Sequence, residues 1–364
     1  MYDKAIAVLK IFMEHGYSAY IVGGYPRDNL LGIQTNDIDI CTNAKPKDIM
    51  DIFDTDGVSD IKYGSIRVIY KNVKFDVNTF RKDIKYEDNR RPVKIKYITS
   101  LKKDLLRRDF TINCMCIDAD GNLIDILKGK RDLDKRIIKT VGNPRYRLKE
   151  DALRILRAIR FASYLDFTID NKTKYYIKKY ASLLENLSGY RKRDELDKIF
   201  SSKGKEKGRE LIINLGLYKY LGFHNLDKIV LCDDIIGIWS QLDDISGYPF
   251  SKIEMDNINK IREMLKGDIN NYTIYKYGLY ISSVVGSIKG INYKEINDIY
   301  KNLAIYSKGD IVISGNDIAS ILGKNTGRYL KDIIDDIEYK IVLGKIKNEY
   351  DELVNYIKEK YGDR

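Results

Sequence analysis

An α/β head followed by an all-α remainder is the fold class the sequence predicts, and three features predict it. Roughly the first 140 residues alternate helical and strand-like segments. From about Pro144 the glycines thin out, prolines nearly vanish, and long charged segments take up helical periodicity. At 364 residues the chain has room for two or three domains with ample core, and neither an internal repeat nor a low-complexity linker separates the parts. The helices are therefore expected to continue directly out of the head.

The elements follow in order. YDKAIAVLKIFMEHG reads as a helix closing on Gly16, and SAYIVGG as an apolar strand ending in a glycine pair. DIDICT, GSIRVIY and VKFDVNTF are further strands of one sheet. LKEDALRILRAIRFASYL and KTKYYIKKYASLLENL are helical, and KGDIVISGNDIASILG, at 308–323, reads as a short extended piece leading into a helix.

Composition removes several classes of function. No apolar run of membrane-spanning length and no basic-plus-apolar leader is present, so a cytoplasmic protein without a membrane partner is expected. Cys41, Cys114, Cys116 and Cys232 lack metal-ligand spacing and read as small core residues. With His15 and His224 as its only histidines, the chain is poorly supplied for zinc or histidine catalysis, and no histidine-aspartate phosphohydrolase can be built. His224 reads as a surface or capping residue. The net charge of +11 suggests a polyanionic partner, although abundant Lys, Ile, Asn and Tyr also reflect compositional bias.

GGYPRD, at 23–28, follows a strand and opens a short helix. Its glycines let backbone approach a ligand, and the helix start with Arg27 beside it suits a phosphate, although a tight turn would use the same residues. Asp37 and Asp39 come soon after, at alternate positions of a strand and so on one face, about 7 Å apart by the strand rise. Such a pair can converge on a divalent cation and a triphosphate. Solvent-facing alternation on an edge strand is the other reading. Asp76, in KFDVNTFR, is a third acid in a strand that could lie beside the first.

VGGYPRDNLLG, NDIDICT, RRDFTINCMCID (107–118) and EDALRILRAIRFA (150–162) together resemble the class II CCA-adding enzymes and related poly(A) polymerases, the tRNA nucleotidyltransferase family. The resemblance runs from Gly23 to Ala162 and fades beyond. It implies a nucleotidyltransferase head with a mixed sheet and flanking helices at 1–142, a helical neck at 143–200 and a helical body and tail at 201–364. It also implies nucleotidyl transfer from CTP and ATP to a tRNA 3′ end, with two magnesium ions held by Asp37 and Asp39. Asp76 resembles the family's third carboxylate, usually Glu, on a shorter arm.

By the same resemblance Gly24 and Arg27 contact the triphosphate, though Tyr25 and Pro26 replace the residues often found there. Arg108 and Asp109 handle the ribose and phosphates of the incoming nucleotide, and Asn113 holds that motif in place. Where Cys114 and Cys116 stand, the family commonly has alanines, which suits packing.

The fourth motif can also be read from helix geometry. Residues three apart are neighbours displaced by about 60°, so Asp151 and Arg154 could grip one ligand, with Arg157 and Arg160 continuing the ridge. Leu153, Leu156 and Ile159 would pack behind it. A charged ridge opposite an apolar face is often merely solvated. Cytosine and adenine, however, both set an amino donor beside a ring-nitrogen acceptor, whereas uracil and guanine reverse the pattern. A carboxylate that accepts, next to a guanidinium that donates, suits the first pair. The family's assignment of this motif agrees.

RKDIKYEDNRRPVKIKY, at 81–97, resembles the loop that CCA-adding enzymes need for the final A, with Arg90 and Arg91 within it. YRKRDELDKIF, at 190–200, begins a basic region that could contact a tRNA backbone. A poly(A) polymerase, an A-only or CC-only enzyme, and a non-catalytic RNA-binding protein on a relic fold are the alternatives, and the chain could be a monomer or a homodimer.

Overall fold

The computed structural model of the chain describes residues 1–56, 61–86 and 92–362. The head is built on helix α1 (Tyr2–Glu14), strand β1 (Ala19–Val22), helix α2 (Gly24–Leu30), strand β2 (Asp39–Thr42) and helix α3 (Pro46–Ile52). Then come β3 (Ser65–Tyr70), β4 (Val73–Thr79), β5 (Arg81–Tyr86), β6 (Pro92–Tyr97) and α4 (Leu101–Leu105), followed by β7 (Cys116–Ile117) and β8 (Leu123–Ile124). Six strands form one sheet in the order β3-β4-β2-β1-β7-β8. The sheet is mixed: β2 and β4 run parallel, and the other neighbours run antiparallel.

Two apolar clusters sandwich this sheet. α1 buries Ala5, Val8, Leu9 and Phe12, the one-face spacing of an amphipathic helix, against Ile21, Ile40, Ile66 and Val77. The helix ends, as expected, at Gly16 with φ of +81°. On the opposite face Val22, Cys41 and Phe80 pack with Leu105, Cys114, Cys116 and Val141. All four cysteines are buried and free, as their spacing implied. Because the second cluster covers β1, β2 and β7, the polar residues of that face can gather only at its margin, where β2 begins at Asp39.

The stretch at 81–97 is not simply a loop. β5 and β6 pair as a separate antiparallel hairpin, so strand occupies most of the charged segment. Arg90 and Arg91 lie outside the described residues.

Helices α5 (Gly129–Asp134), α6 (Pro144–Glu150) and α7 (Leu153–Tyr164) follow, with β9 (Ile137–Ile138) and β10 (Thr168–Ile169) paired in parallel. Next are α8 (Asn171–Lys179), α9 (Gly189–Phe200), α10 (Lys205–Asn214) and α11 (Tyr218–Leu221). Two compact units result: Met1–Asp227 with Asp243–Pro249, and Lys228–Leu242 with Phe250–Arg364. The head and the helices predicted as a neck thus share one unit. The second unit is helical, with a core of its own that includes Ile274, Ile296, Ile337, Ile341, Leu353 and Ile357. At 308–323 it holds a short 3₁₀ turn and a helix at Gly315–Ile321, the intervening Ile311 being extended. His15 and His224 are exposed. No helix among the described residues is long and apolar enough to cross a membrane.

Candidate active site

A cavity of about 470 Å³ opens in the first unit, and residues that the sequence had singled out line it: Gly24, Arg27, Asp37, Asp39, Arg108, Asp109, Asn113, Asp151, Arg154, Arg157 and Arg160. Segments more than 120 positions apart in the chain therefore meet there. Acids from the start of β2 form one wall, and guanidinium groups from the 107–109 segment and α7 form another.

The acid wall begins at a strained turn. Gly23, between β1 and α2, has φ of +84° and ψ of −128°, open in practice only to glycine. A Cβ there would sit 3.0 Å from an oxygen of Asp39, so the residue's bareness also makes room for the carboxylate. Asp37 is exposed and precedes the strand, whereas Asp39 is partly buried within it. Burial, and then the charges of Asp37 and Asp76 against the opposing pull of Arg108, push the Asp39 carboxyl up to about 6. Negative charge is thus concentrated where it is poorly solvated.

Asp76 lies beside Asp39 in register, on the neighbouring strand, but it does not line the cavity. Arg67 holds it, donating from Nε at 2.7 Å and from Nη2 at 3.4 Å. Among the described residues no three His, Cys, Asp or Glu side chains converge as a metal-binding group. Of the three acids considered for metal, the cavity therefore holds Asp37 and Asp39, and Asp76 is paired with Arg67 one strand away.

The arginine wall is assembled by buried carboxylates. Asp104, fully buried, accepts from Arg107 Nε at 2.9 Å and from Arg108 Nη2 at 3.1 Å. Burial alone would raise its carboxyl, but Arg108 and Arg107 hold it below the usual range. Asp109 is committed to the protein's own groups. It accepts from Arg157 Nε at 2.8 Å, the Phe110 amide at 2.7 Å and Asn113 Nδ2 at 3.2 Å. Burial opposes its charge, yet Arg157 and these donors bring it down to about 2. Asp109 thus orients Arg157 while itself lining the cavity.

Asn113 links the walls, because its Oδ1 also accepts from Arg27 Nη1 at 2.6 Å. Arg27 is buried, doubly bonded to Asp28, and its guanidinium carbon lies 5.1 Å from the centre of the Phe161 ring. Arg157 and Arg160 approach the same ring at 5.3 and 4.5 Å. One aromatic side chain thus gathers three cations around the cavity.

Asp151 is not on the helix, as the ridge required. The chain breaks between α6 and α7, leaving Asp151 extended with φ of −144°, and its Oδ1 accepts from the Leu153 amide at 3.1 Å. An aspartate ahead of an apolar run competes for backbone amides and starts the helix after itself. Arg191, from α9, then clamps both its oxygens at 3.0 and 3.2 Å. Arg154 and Arg160 do sit on α7. Arg154 donates to the carbonyls of Arg147 and Arg107 at 2.8 and 2.9 Å, and Arg160 pairs with the buried Glu195 at 2.9 Å. Two residues of the basic segment at 190–200, Arg191 and Glu195, therefore serve this site from within the protein.

Asp104, Phe161, Arg191 and Glu195 were not singled out. The spacing of Asp104 to Arg107 and Arg108, three and four residues, was a readable helical pairing signal. Arg191 stands 40 positions from Asp151, and no local pattern announces that contact.

Acids at the start of a strand, facing a pocket that also gathers six arginines, suit a phosphorylated substrate; fold and site together define a nucleotidyltransferase. A model of the poly A polymerase head domain matches residues 19–139. A model for an RNA and SrmB binding site of polymerase A matches 166–226, and one for domain 2 of tRNA nucleotidyltransferases matches 246–357. A CCA-adding enzyme of Staphylococcus haemolyticus is 33% identical, the alignment taking in 99% of this chain and 98% of that one. One from Ligilactobacillus salivarius is 32% identical over 98% and 96%. The crystal structure of the Bacillus stearothermophilus CCA-adding enzyme in complex with CTP superposes with a TM-score of 0.86 at 28% identity, covering 99% of this chain and 97% of that one. The chain belongs to the CCA-adding enzyme family.

Proposed function

We infer that the protein adds CCA to the 3′ end of tRNA from CTP and ATP, without a nucleic-acid template, releasing pyrophosphate at each step. One observation carries this: the acid pair Asp37 and Asp39 and the pair Asp151 and Arg154 line a single cavity, so chemistry and base choice share one site. We place this activity in the cytoplasm.

The residues present fit a divalent metal. Asp37 and Asp39 offer hard oxygen ligands, and the crowding that raises the Asp39 carboxyl is relieved by a cation. Magnesium typically takes one or two carboxylates and fills its remaining positions with phosphates and water, so two acids suffice for such a site. Magnesium, assigned as two ions, would activate the 3′-hydroxyl and neutralise the leaving pyrophosphate.

The chain's own groups do the rest. Gly23 and Gly24 keep the backbone bare beside the acids. Arg108, anchored by Asp104, and Arg157, anchored by Asp109, present positive charge to the triphosphate and ribose. Arg27 and Arg160 add to that field around Phe161. Asp151 accepts from the exocyclic amino group of cytosine or adenine, and Arg154 donates to the neighbouring ring nitrogen; uracil and guanine would set like against like. The Arg191 clamp fixes the acceptor's position.

Incubating the protein with tRNA lacking its last three nucleotides, then sequencing the products, tests this. CTP alone should give two added C, and ATP should then give a single A. Long A tails, arrest at CC, or A added solely to ends already carrying CC would each replace this reading with one of its rivals.

A further inference from the structure

The face that carries Asp39 continues past the cavity. β2, β4 and β3 are neighbours, and their register sets Asp39 opposite Asp76 and Asp76 opposite Arg67. The three side chains form a row across three strands, so the Cα of Arg67 lies about 10 Å from that of Asp39 at ordinary strand spacing.

Alternation separates the two faces of β3 and β4. Ile66, Val68, Phe75 and Val77 are buried in the core below, while Ser65, Arg67, Lys74, Asp76 and Asn78 are partly or fully exposed above. The result is a polar shelf. On the other flank of the acid pair the same face is covered by the cluster around Leu105, Cys114 and Val141. The shelf itself lies outside the nucleotide cavity, since neither Asp76 nor Arg67 lines it.

Nucleotidyl transfer needs two reactants to meet at the acids. With the nucleotide in the cavity, the hydroxyl of the RNA end has to arrive from the uncovered flank, across this shelf. RNA brings a phosphate on every linkage, and the guanidinium of Arg67 is the group there best shaped to meet one. Its side chain is 38% exposed and that of Asp76 44%, so the pair is reachable from solvent.

We propose that Arg67 binds the last internucleotide phosphate of the RNA primer, and that Asp76 is a positioning residue that aims it. Asp76 accepts from two of the guanidinium's five N–H donors, on Nε and Nη2, and Asp56 lies 4.0 Å from Nη1, so the group is held in place where its charge can meet the phosphate as a further acceptor. Lys74, paired with Asp56 at 3.3 Å, adds positive charge on the same face. The inference rests on the assignment of the acid pair and nucleotide cavity made above.

The test is a charge-neutralisation cycle. Full-length protein, with magnesium, adds C to tRNA ends whose final linkage is either phosphate or uncharged methylphosphonate. Methylphosphonate should slow the unsubstituted protein about tenfold, and Arg67→Ala should slow addition to the normal end by a similar factor. The two changes together should cost no more than either alone, and KM for CTP should not move. The salt dependence of kcat/KM for RNA should also fall by nearly one unit of slope. Arg67→Lys, which keeps the charge, should recover part of the rate and guards against misfolding of the alanine variant. Asp76→Asn should match Arg67→Ala without adding to it.

Multiplicative losses, an unaltered rate in Arg67→Ala, or an Asp76→Asn variant as inactive as Asp39→Asn would overturn the proposal. Turnover by Asp39→Asn would instead overturn the acid-pair assignment, so the two failures are separable.

Discussion

Asp39→Asn should abolish nucleotide addition and yet stabilise the metal-free protein. The carboxyl is raised from 3.8 to about 6 by burial and by its acidic neighbours, a shift of about two units, or roughly 3 kcal/mol at 1.36 kcal/mol per unit. Since the group is only partly buried, a stabilisation of about 1–3 kcal/mol is the working range. The sign follows from linkage. The folded state binds this proton more tightly than the unfolded state, so stability is lost as pH rises from about 4 to about 6, and the penalty is complete above that. Urea unfolding of both proteins in chelator, between pH 4.5 and 7.5, should show a gap in favour of Asp39→Asn that widens with pH and has levelled off by about 7. Magnesium should narrow that gap by stabilising the unsubstituted protein. A variant that is less stable at neutral pH, or a gap that ignores pH, would refute the electrostatic account of the acid pair.

Three other substitutions probe the walls of the cavity. Gly23→Ala must hold a φ of +84° at a cost of about 1–3 kcal/mol and places a Cβ 3.0 Å from an Asp39 oxygen, so kcat should fall at least about tenfold in steady-state addition assays. Asp109→Ala leaves Arg157 without its main carboxylate and should cost about 3–5 kcal/mol in urea unfolding. Because the Asp109 carboxyl is lowered to about 2, its stabilisation is present above about pH 4 and is lost as pH falls toward 2, so the cost should shrink in acid. Arg191→Ala releases both oxygens of Asp151 and should raise UTP incorporation relative to CTP severalfold, measured by competition, with thermal stability nearly kept.

Much of the architecture was legible because local rules and the global fold agree. The burial of Ala5, Val8, Leu9 and Phe12 on α1, and the alternation of β4 around Phe75 and Val77, are direct readings of periodicity. Alternation also singled out Asp37 and Asp39 as a pair, and the structure places Asp39 at the start of β2 with Asp37 just ahead of it. What was not legible depended on partners distant in the chain. Asp109 reads equally well as a ligand-binding or an anchoring acid until Arg157, 48 residues on, is known to meet it. The pairing of Asp76 with Arg67 likewise depends on strand register, which sets the two opposite each other and which no local pattern announces. The break at Asp151 was local and readable, since Asp before an apolar run is a helix-start signal, but the three-residue spacing of the arginines suggested one continuous helix.

Base choice by protein side chains, in the same cavity as the chemistry, is the central claim, and Asp151→Ala tests it most directly. Given a tRNA end lacking CCA and equal CTP and UTP, the variant should incorporate U relative to C at least about tenfold more often than the unsubstituted protein, because losing one hydrogen-bonding discrimination is worth about 1–3 kcal/mol. Its magnesium-dependent rate with CTP should fall less than its selectivity, since Asp37, Asp39 and Arg108 are untouched. Full discrimination at an undiminished rate would contradict the account and leave the arginines of α7 a purely structural role.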